Sequence, residues 1–196
     1  MHPRRDGLSH SQPIPHNPAM PSNIEIKARI ASVEALLPLA RALGDDDHAQ
    51  LIHQDDSFFD VSHGRLKLRV FGNGSGELIH YHRADASGPK RSDYVLVPVP
   101  DPDSLREALG RACGLLGRVR KERILVLVGA TRLHLDRVEG LGDFLELEVV
   151  LRDGQDEAEG YAEAEALMQR LGLQPDQLVQ GAYLDLLREQ AAAAPA

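Results

Sequence analysis

Alternation of apolar and ionic residues is the main pattern along the chain. In residues 23–30, one face of the predicted strand carries isoleucines and the other carries Glu25, Lys27 and Arg29. The same alternation predicts further strands at residues 57–61, 65–71, 77–83, 93–99, 118–128, 131–138 and 144–151. Because successive side chains of a strand point to opposite sides, several of these strands have one apolar face and one ionic face.

Segments with helical periodicity, bounded by helix-start and helix-stop residues, lie between and after the predicted strands. They predict helices at residues 32–43, 102–113, 156–171 and 175–190, the first with Ser32 as its N-cap and Gly44 as its stop. The glycine-rich segment 71–76 is predicted to be a hairpin loop, since no helix follows it as a phosphate loop would require. Strands, one helix, more strands and closing helices indicate an α+β fold with a mostly antiparallel sheet.

The ionic faces are sorted by sign. Residues 65–69 and 121–123 present almost only Lys and Arg, whereas residues 146–148 present a Glu-x-Glu pair. A single solvated face would be ordinary for an antiparallel sheet, but faces that are almost purely ionic and sorted by sign favour a binding site for a metal-bound polyanion. Lys and Arg neutralise phosphate oxygens, and carboxylates hold a hard cation such as Mg²⁺ or Mn²⁺. We therefore expect the sheet to curl with its charged face inward and helices over its apolar face.

Composition sets the outer limits of the function. The net charge of −8 and the pI of about 5.6 argue against nucleic acid as a partner. No apolar stretch reaches the roughly 18 residues of a membrane span, the N-terminal residues contain no apolar run that would predict a secretory signal, and the single cysteine is compatible with a reducing compartment. These features predict a cytoplasmic protein without a membrane partner. We expect a disordered leader at residues 1–21, one domain at 22–188 and a flexible C-terminal tail at 189–196.

Six short segments, taken together and in order, resemble one family. They are Asn23-Ile-Glu-Ile-Lys27, Gly64-Arg-Leu-Lys-Leu-Arg69, Tyr81-His-Arg83, Val119-Arg-Lys-Glu-Arg123, His134-Leu-Asp136 and the segment from Gly140 to Glu148. This set is similar to the CYTH superfamily, the triphosphate tunnel metalloenzymes, which include class IV adenylyl cyclases, thiamine triphosphatases and inorganic tripolyphosphatases. The resemblance implies a closed eight-stranded antiparallel β-barrel with a charged interior and flanking α-helices.

The resemblance also implies roles for individual residues. The metal ligands for Mg²⁺ or Mn²⁺ would be Glu25, Asp136, Glu146 and Glu148. The phosphate-binding residues would be Lys27, Arg65, Lys67, Arg69, Arg83, Arg91, Lys121, Arg123, Arg132 and His134, with Lys27 and Glu148 as catalytic residues. The chain departs from the family motif Glu-x-Glu-x-Lys at its first position, where Asn23 offers a carbonyl oxygen but no charge.

Three functions are compatible with these residues. We expect metal-dependent hydrolysis of a triphosphate group, either inorganic tripolyphosphate or a nucleoside triphosphate, because water is always available as the nucleophile. The alternatives are an adenylyl cyclase that forms cyclic AMP and pyrophosphate, and a non-catalytic binder of triphosphate or polyphosphate. The binder is kept as an alternative because Asn23 replaces a metal-ligand charge, and such a loss can leave binding intact while slowing turnover. Thiamine triphosphate is less favoured because the chain has no Trp on which a cationic ring could stack. The expected partner is a small-molecule triphosphate, and the sequence allows a homodimer.

Overall fold

A closed antiparallel barrel forms the centre of the molecule. The computed structural model describes residues 22–46, 49–83, 88–152 and 154–193. Its strands are β1 (Ser22–Arg29), β2 (Gln50–Phe59), β3 (Arg65–Phe71), β4 (Gly76–Arg83), β5 (Lys90–Val99), β6 (Leu115–Val128), β7 (Thr131–Val138) and β8 (Gly142–Val150). Its helices are α1 (Val33–Leu43), α2 (Pro102–Cys113), α3 (Glu157–Arg170) and α4 (Tyr183–Ala193).

The strands close in the order β1-β5-β4-β3-β2-β6-β7-β8, with each neighbouring pair antiparallel. β1 joins the two ends of the sheet, since it pairs with β5 along one edge and with β8 along the other. The expected α+β fold, with an eight-stranded barrel flanked by helices, is confirmed.

The barrel is apolar outside and charged inside. On β1, Ile24, Ile26 and Ala28 are buried beneath helices, while Glu25 and Lys27 between them line the interior. Helices α1 and α3 cover the outer faces of β6–β7 and of β1 and β8, respectively. The main apolar core therefore lies between the barrel wall and the helices.

Two elements differ from the sequence prediction. β2 begins at Gln50, seven residues before the predicted start at residue 57, because the polar segment from Gln50 to Asp56 gives little strand signal. The predicted helix at 175–190 is instead a short 3₁₀ turn at Pro175–Gln177 followed, after a break, by α4. Within that break, the Val179 amide donates to the Lys27 carbonyl and Gly181 adopts a φ of 75°. The hydrogen bond to β1 and the left-handed conformation of Gly181 interrupt the helix between Gln177 and Tyr183.

The structure describes part of the predicted C-terminal tail and none of the predicted leader. α4 continues through Ala193, past residue 188 where the sequence places the end of the domain. The predicted leader at residues 1–21 and the last residues of the predicted tail, 194–196, lie outside the described residues.

Candidate functional site

The interior of the barrel contains a cavity of about 430 Å³. One end is covered by the segment that leads into α4. The Gly181 carbonyl accepts hydrogen bonds from Lys27 Nζ (3.3 Å) and Arg83 Nη2 (3.0 Å), and Tyr183 is buried against the lining. At the opposite end, the lining residue Leu96 is 43% exposed, so the cavity opens to solvent there.

A group of metal-ligand type lies on β7 and β8. His134, Glu146 and Glu148 each bring one donor atom within 4.8 Å of the others. They meet because these positions alternate along paired strands, with His134 directly opposite Glu146. Burial and then the charge of Arg123 lower the pKa of His134 to about 4, so its imidazole is neutral at pH 7. Its Nδ1 is buried and accepts or donates no hydrogen bond within the described residues.

The two glutamates of this group are ionised despite their burial. Burial opposes ionisation of Glu146, but Lys27, Lys121 and Arg123 outweigh it and hold its pKa well below the usual value. Lys27 Nζ lies 3.1 Å from Glu146 Oε1, and Arg123 also contacts this carboxylate. Burial likewise opposes ionisation of Glu148, but His134, Arg132 and Arg123 lower its pKa. Arg132 Nε donates to Glu148 Oε2 at 2.8 Å. Two carboxylates and a neutral imidazole are thus available to a cation.

Asp136, predicted as a metal ligand, lies in a different environment. Its carboxylate accepts four hydrogen bonds: two from Arg123 (2.6 Å each), one from Lys121 Nζ (3.1 Å) and one from the Tyr183 hydroxyl (3.0 Å). Three of these bonds end on Oδ2 and one on Oδ1, so both oxygens of the carboxylate are engaged by donors. Asp136 is fully buried and holds two cations in place, and the structure does not bring it into the group of His134, Glu146 and Glu148.

The facing wall is cationic and is built on β2 and β3. Asp56 is buried and accepts hydrogen bonds from Lys67 Nζ (3.0 Å) and from Arg69 through Nε and Nη2 (2.8 Å each). Burial and then the charge of Arg69 lower the pKa of Lys67 to about 8, so the amine stays mainly protonated at pH 7. Lys67 and Arg69 therefore line the cavity as fixed cations, while Asp56 orients them.

The other predicted residues fall into three places. Glu25 lines the cavity and receives a 2.6 Å hydrogen bond from Arg83. Arg65 lies towards the covered end, 2.7 Å from Asp185 of α4. Arg91 is outside the barrel and pairs with Asp93 and with Glu157 of α3. The inward places on β5 belong to its even-numbered residues, so the expected position of Arg91 in the interior is corrected.

Asn23 occupies an inward position on β1. It is buried, it lines the cavity, and its Oδ1 accepts no hydrogen bond from any described residue. Its neighbour across the strands is Ser92 of β5 on one side and Val150 of β8 on the other. The departure from the family motif is therefore a free acceptor inside the barrel.

Sequence reasoning missed two residues that shape the site. Asp56 lies before the predicted start of β2, because residues 53–57 are all polar and carry no apolar–polar alternation. Tyr183 fell inside a predicted continuous helix, where nothing marked it as a cavity residue. In the structure its ring lies 3.9 Å from Lys27 Nζ and 4.9 Å from Lys121 Nζ.

With this geometry in view, comparison with known proteins identifies the family. The CYTH domain model matches residues 22–183. The chain belongs to the CYTH domain family. The matched segment contains the whole barrel and the start of α4.

Individual relatives agree with this assignment. Adenylate cyclase CyaB of Aeromonas hydrophila is 26% identical over 175 residues, which is 85% of this chain and 88% of that protein. The PH1012 protein of Pyrococcus horikoshii has a structure similar to this one, with a TM-score of 0.74 and 25% identity over 84% of this chain and 99% of the other. A putative adenylyl cyclase from Hippeastrum, described as having a dominant triphosphatase activity, shares the fold with a TM-score of 0.62. The two chains are 17% identical, and the match covers 87% of this chain and 96% of the other.

The helices give no sign of a membrane span. Among the described residues, no helix is both long and apolar enough to cross a bilayer. The cytoplasmic location stays a prediction from the sequence.

Proposed function

We propose that the barrel cavity binds the triphosphate group of a small molecule and hydrolyses its terminal phosphate with the help of a divalent metal ion. The observation that carries this proposal is the placement of His134, Glu146 and Glu148 across one cavity from Lys67 and Arg69. Cations alone would suit any anion, and carboxylates alone would suit any metal. A group of metal-ligand type across one cavity from a pair of fixed cations suits a metal-bound polyphosphate.

The metal would be held by His134, Glu146 and Glu148. The Nδ1 of the neutral His134 supports this fit, because it makes no hydrogen bond among the described residues and lies 3.6 Å from Glu148 Oε1, whereas a buried ring nitrogen normally has a hydrogen-bond partner. A bound divalent ion supplies charge neutralisation to the phosphate oxygens. The nitrogen donor favours Mn²⁺ over Mg²⁺, which prefers all-oxygen sites.

The side chains of the cavity would bind and orient the phosphates. The phosphate oxygens would be neutralised by Lys67, Arg69, Lys121 and Arg123. Lys27 would add a further cation near the covered end. In hydrolysis, the oxygen of a water molecule bonds to the terminal phosphorus. The bridging P–O bond breaks, and the diphosphate product leaves with that electron pair while the water proton passes to solvent. Positioning and charge neutralisation supply most of the catalysis in such a transfer.

Two buried aspartates would act indirectly. Asp56 fixes Lys67 and Arg69, and Asp136 fixes Lys121 and Arg123, each through short hydrogen bonds. We assign both as positioning residues, since both oxygens of each carboxylate accept hydrogen bonds from the cations they orient. Glu148, with one arginine partner and an open side towards the cavity, keeps its predicted catalytic role as a metal ligand.

The relatives support the same class of substrate. The Aeromonas relative is named as an adenylate cyclase, and the Hippeastrum structure is described by its triphosphatase activity. Both activities act on a triphosphate, so adenylyl cyclisation is the second candidate for this chain.

Product analysis tests the proposal. The protein is incubated with tripolyphosphate and, separately, with ATP, in the presence of Mn²⁺, Mg²⁺ or a chelator. We expect orthophosphate release that requires metal and is abolished in Glu148→Ala. The matched control is Glu122→Ala, because Glu122 is a glutamate on the outer face of β6 whose side chain is 53% exposed.

The outcomes separate the alternatives. Formation of cyclic AMP and pyrophosphate from ATP would show that the protein is a cyclase and not a hydrolase. Tight binding of tripolyphosphate that survives chelation, with no product from either compound, would make the protein a non-catalytic binder. Equal loss of activity in the Glu122 control would contradict the assigned site.

A further inference from the structure

We infer that Tyr183, in the first turn of α4, is a positioning residue of the phosphate site. Its ring holds the ammonium groups of Lys27 and Lys121, and its hydroxyl fixes the ring to Asp136. The inference rests on the proposed function and adds to it a residue that lies outside the barrel strands. It is carried by the contacts of the ring, the contact of the hydroxyl and the way in which the start of α4 is held in place.

The ring of Tyr183 contacts two buried cations. Lys27 Nζ lies 3.9 Å and Lys121 Nζ 4.9 Å from the centroid of the ring, and each lysine side chain is only 4% exposed. Two like charges that share a buried site repel each other. The face of an aromatic ring attracts an ammonium group, and more strongly where water is excluded. The ring therefore stabilises both lysines in positions that their mutual repulsion opposes.

A ring suits this role better than a further carboxylate would. Lys27 Nζ already lies 3.1 Å from Glu146 Oε1 and donates to the Gly181 carbonyl at 3.3 Å, so two of its three N–H groups are used. A third oxygen acceptor would compete with phosphate for the last N–H group. The ring attracts the positive charge without supplying such an acceptor, and it leaves an N–H group of Lys27 for a phosphate oxygen.

The hydroxyl of Tyr183 fixes the orientation of the ring. It donates to Asp136 Oδ2 at 3.0 Å, the same oxygen that Lys121 Nζ contacts at 3.1 Å. Burial and then the charge of Asp136 raise the pKa of Tyr183 well above its usual value, so the hydroxyl keeps its proton and donates. The ring also packs edge-on against Phe144 of β8, with 4.9 Å between the centroids. Tyr183 is thus attached to β7 and to β8.

The start of α4 is itself held by residues of the site. Before Tyr183, the Gly181 carbonyl accepts hydrogen bonds from two cations of the cavity. After it, the Asp185 carboxylate accepts one from Arg65 at 2.7 Å and one from the Ala182 amide at 2.8 Å. These contacts lie two residues to either side of Tyr183, so they determine where its ring stands relative to the lysines.

The first test is spectroscopic and needs no ligand. The lysines of the chain are Lys27, Lys67, Lys90 and Lys121, so labelling them with carbon-13 at Cε gives a simple NMR spectrum. The ring current of Tyr183 should move the Hε signals of two lysines upfield. Tyr183→Leu should abolish these shifts, and Tyr183→Phe, which keeps the ring, should retain them. Lys67 is the internal reference, since its aromatic neighbours are Phe58 and Tyr81.

The second test measures phosphate binding. The Kd of tripolyphosphate is determined by calorimetry in the presence of a chelator, and KM and kcat are determined with Mn²⁺. Tyr183→Leu should raise Kd and KM by about 10-fold and change kcat by less than about threefold, because the lysines bind phosphate before and during the reaction. Tyr183→Phe should stay within about threefold of wild type in all three. A mere loss of folded protein would lower the apparent kcat and leave KM unchanged.

The matched control is Leu184→Ala. Leu184 is the next residue of α4, is buried in the same apolar cluster as Tyr183 and lies against Gly117 of β6. Its truncation should lower the free energy of unfolding and leave Kd and KM unchanged. If it weakens tripolyphosphate binding as much as Tyr183→Leu does, general packing of α4 positions the cations and the inference is overturned.

The remaining outcomes separate this inference from the proposed function. If wild type and Tyr183→Leu bind tripolyphosphate equally, the inference is overturned while the proposed function stands. If Tyr183→Leu does not fold, wild type and Tyr183→Phe decide: the absence of upfield lysine signals, or binding about 10-fold weaker in Tyr183→Phe, would overturn the role of the ring. If wild type neither binds nor hydrolyses tripolyphosphate or ATP, the proposed function fails and the inference fails with it.

Discussion

Two pairs of carboxylates lie within the same barrel and have different surroundings. Asp56 and Asp136 each accept three hydrogen bonds from two cations, and these bonds reach both carboxylate oxygens. Glu146 and Glu148 also touch cations, but they face the cavity together with an imidazole whose Nδ1 makes no hydrogen bond among the described residues and lies 3.6 Å from Glu148 Oε1. All four carry negative charge inside a protein, so charge alone does not distinguish their roles.

The number of hydrogen bonds is what separates the two pairs: Asp56 accepts three and Asp136 four, whereas Glu146 is contacted by two cations and Glu148 by Arg132 and His134. A more heavily hydrogen-bonded carboxylate is suited to fix its partners, whereas one with fewer partners and a side open to a cavity keeps lone pairs for a metal. The aspartates are therefore expected to determine stability and the geometry of the cations. The glutamates are expected to determine activity. Each prediction below tests one side of this comparison.

The largest expected effect is on stability, in Asp136→Asn. This change removes the carboxylate that the buried Lys121 and Arg123 share, and removal of one partner of a buried ion pair costs roughly 3–5 kcal/mol. Urea unfolding measures the loss. The exposed pair of Arg111 and Glu107 provides the control, since Glu107→Gln should cost less than about 1 kcal/mol. A stable Asp136→Asn protein would show that Asp136 is not a structural anchor.

Glu148→Gln should separate activity from stability. The loss of a ligand charge is expected to lower metal-dependent kcat/KM by about 100-fold, at least as much as loss of an outer-shell residue. The unfolding free energy should change little, because the partner Arg132 is 34% exposed and can be solvated. Retained activity at saturating Mn²⁺ would remove Glu148 from the metal group.

Asp56→Asn should show a defect that the ligand repairs. Lys67 and Arg69 are more exposed than the partners of Asp136, so we expect a smaller loss of about 2 kcal/mol in the ligand-free protein. Saturating tripolyphosphate should restore most of it, since phosphate oxygens replace the carboxylate. The measurement is unfolding with and without tripolyphosphate. An equal ligand-induced gain in wild type and variant would contradict a phosphate site at these cations.

The smallest effect is expected from Asn23→Asp. This isosteric change places a charge at the free acceptor on β1, and higher ligand charge strengthens the binding of hard cations. The Mn²⁺ concentration for half-maximal activity should fall by about 3-fold to 10-fold. The control is Ser92→Asp on the neighbouring strand, which tests whether a charge added beside this position lowers the Mn²⁺ requirement equally. An unchanged metal requirement in Asn23→Asp would place the metal away from this residue.

Much of the fold follows from local pattern. The alternation in β1, β3, β6, β7 and β8 separates apolar from ionic residues strongly, and these strands appear where the pattern predicts them. The sequence pattern starts β2 too late because its inward residues Gln54 and Asp56 are polar and have low strand propensity. The pattern also makes the last helix too long, because the pairing of residues 178–179 with β1 is a contact across the fold that a helical period does not reveal.

The sequence by itself determined the barrel, its charged inner face and the family, since side-chain alternation and short motifs are local properties of a strand. Only the tertiary structure decided which carboxylates accept the most hydrogen bonds, because the partners of Asp56 and Asp136 come from neighbouring strands and from α4. It also placed Arg91 outside and His134 beside the glutamates. These properties depend on register and closure, which bring distant residues to one depth of the barrel.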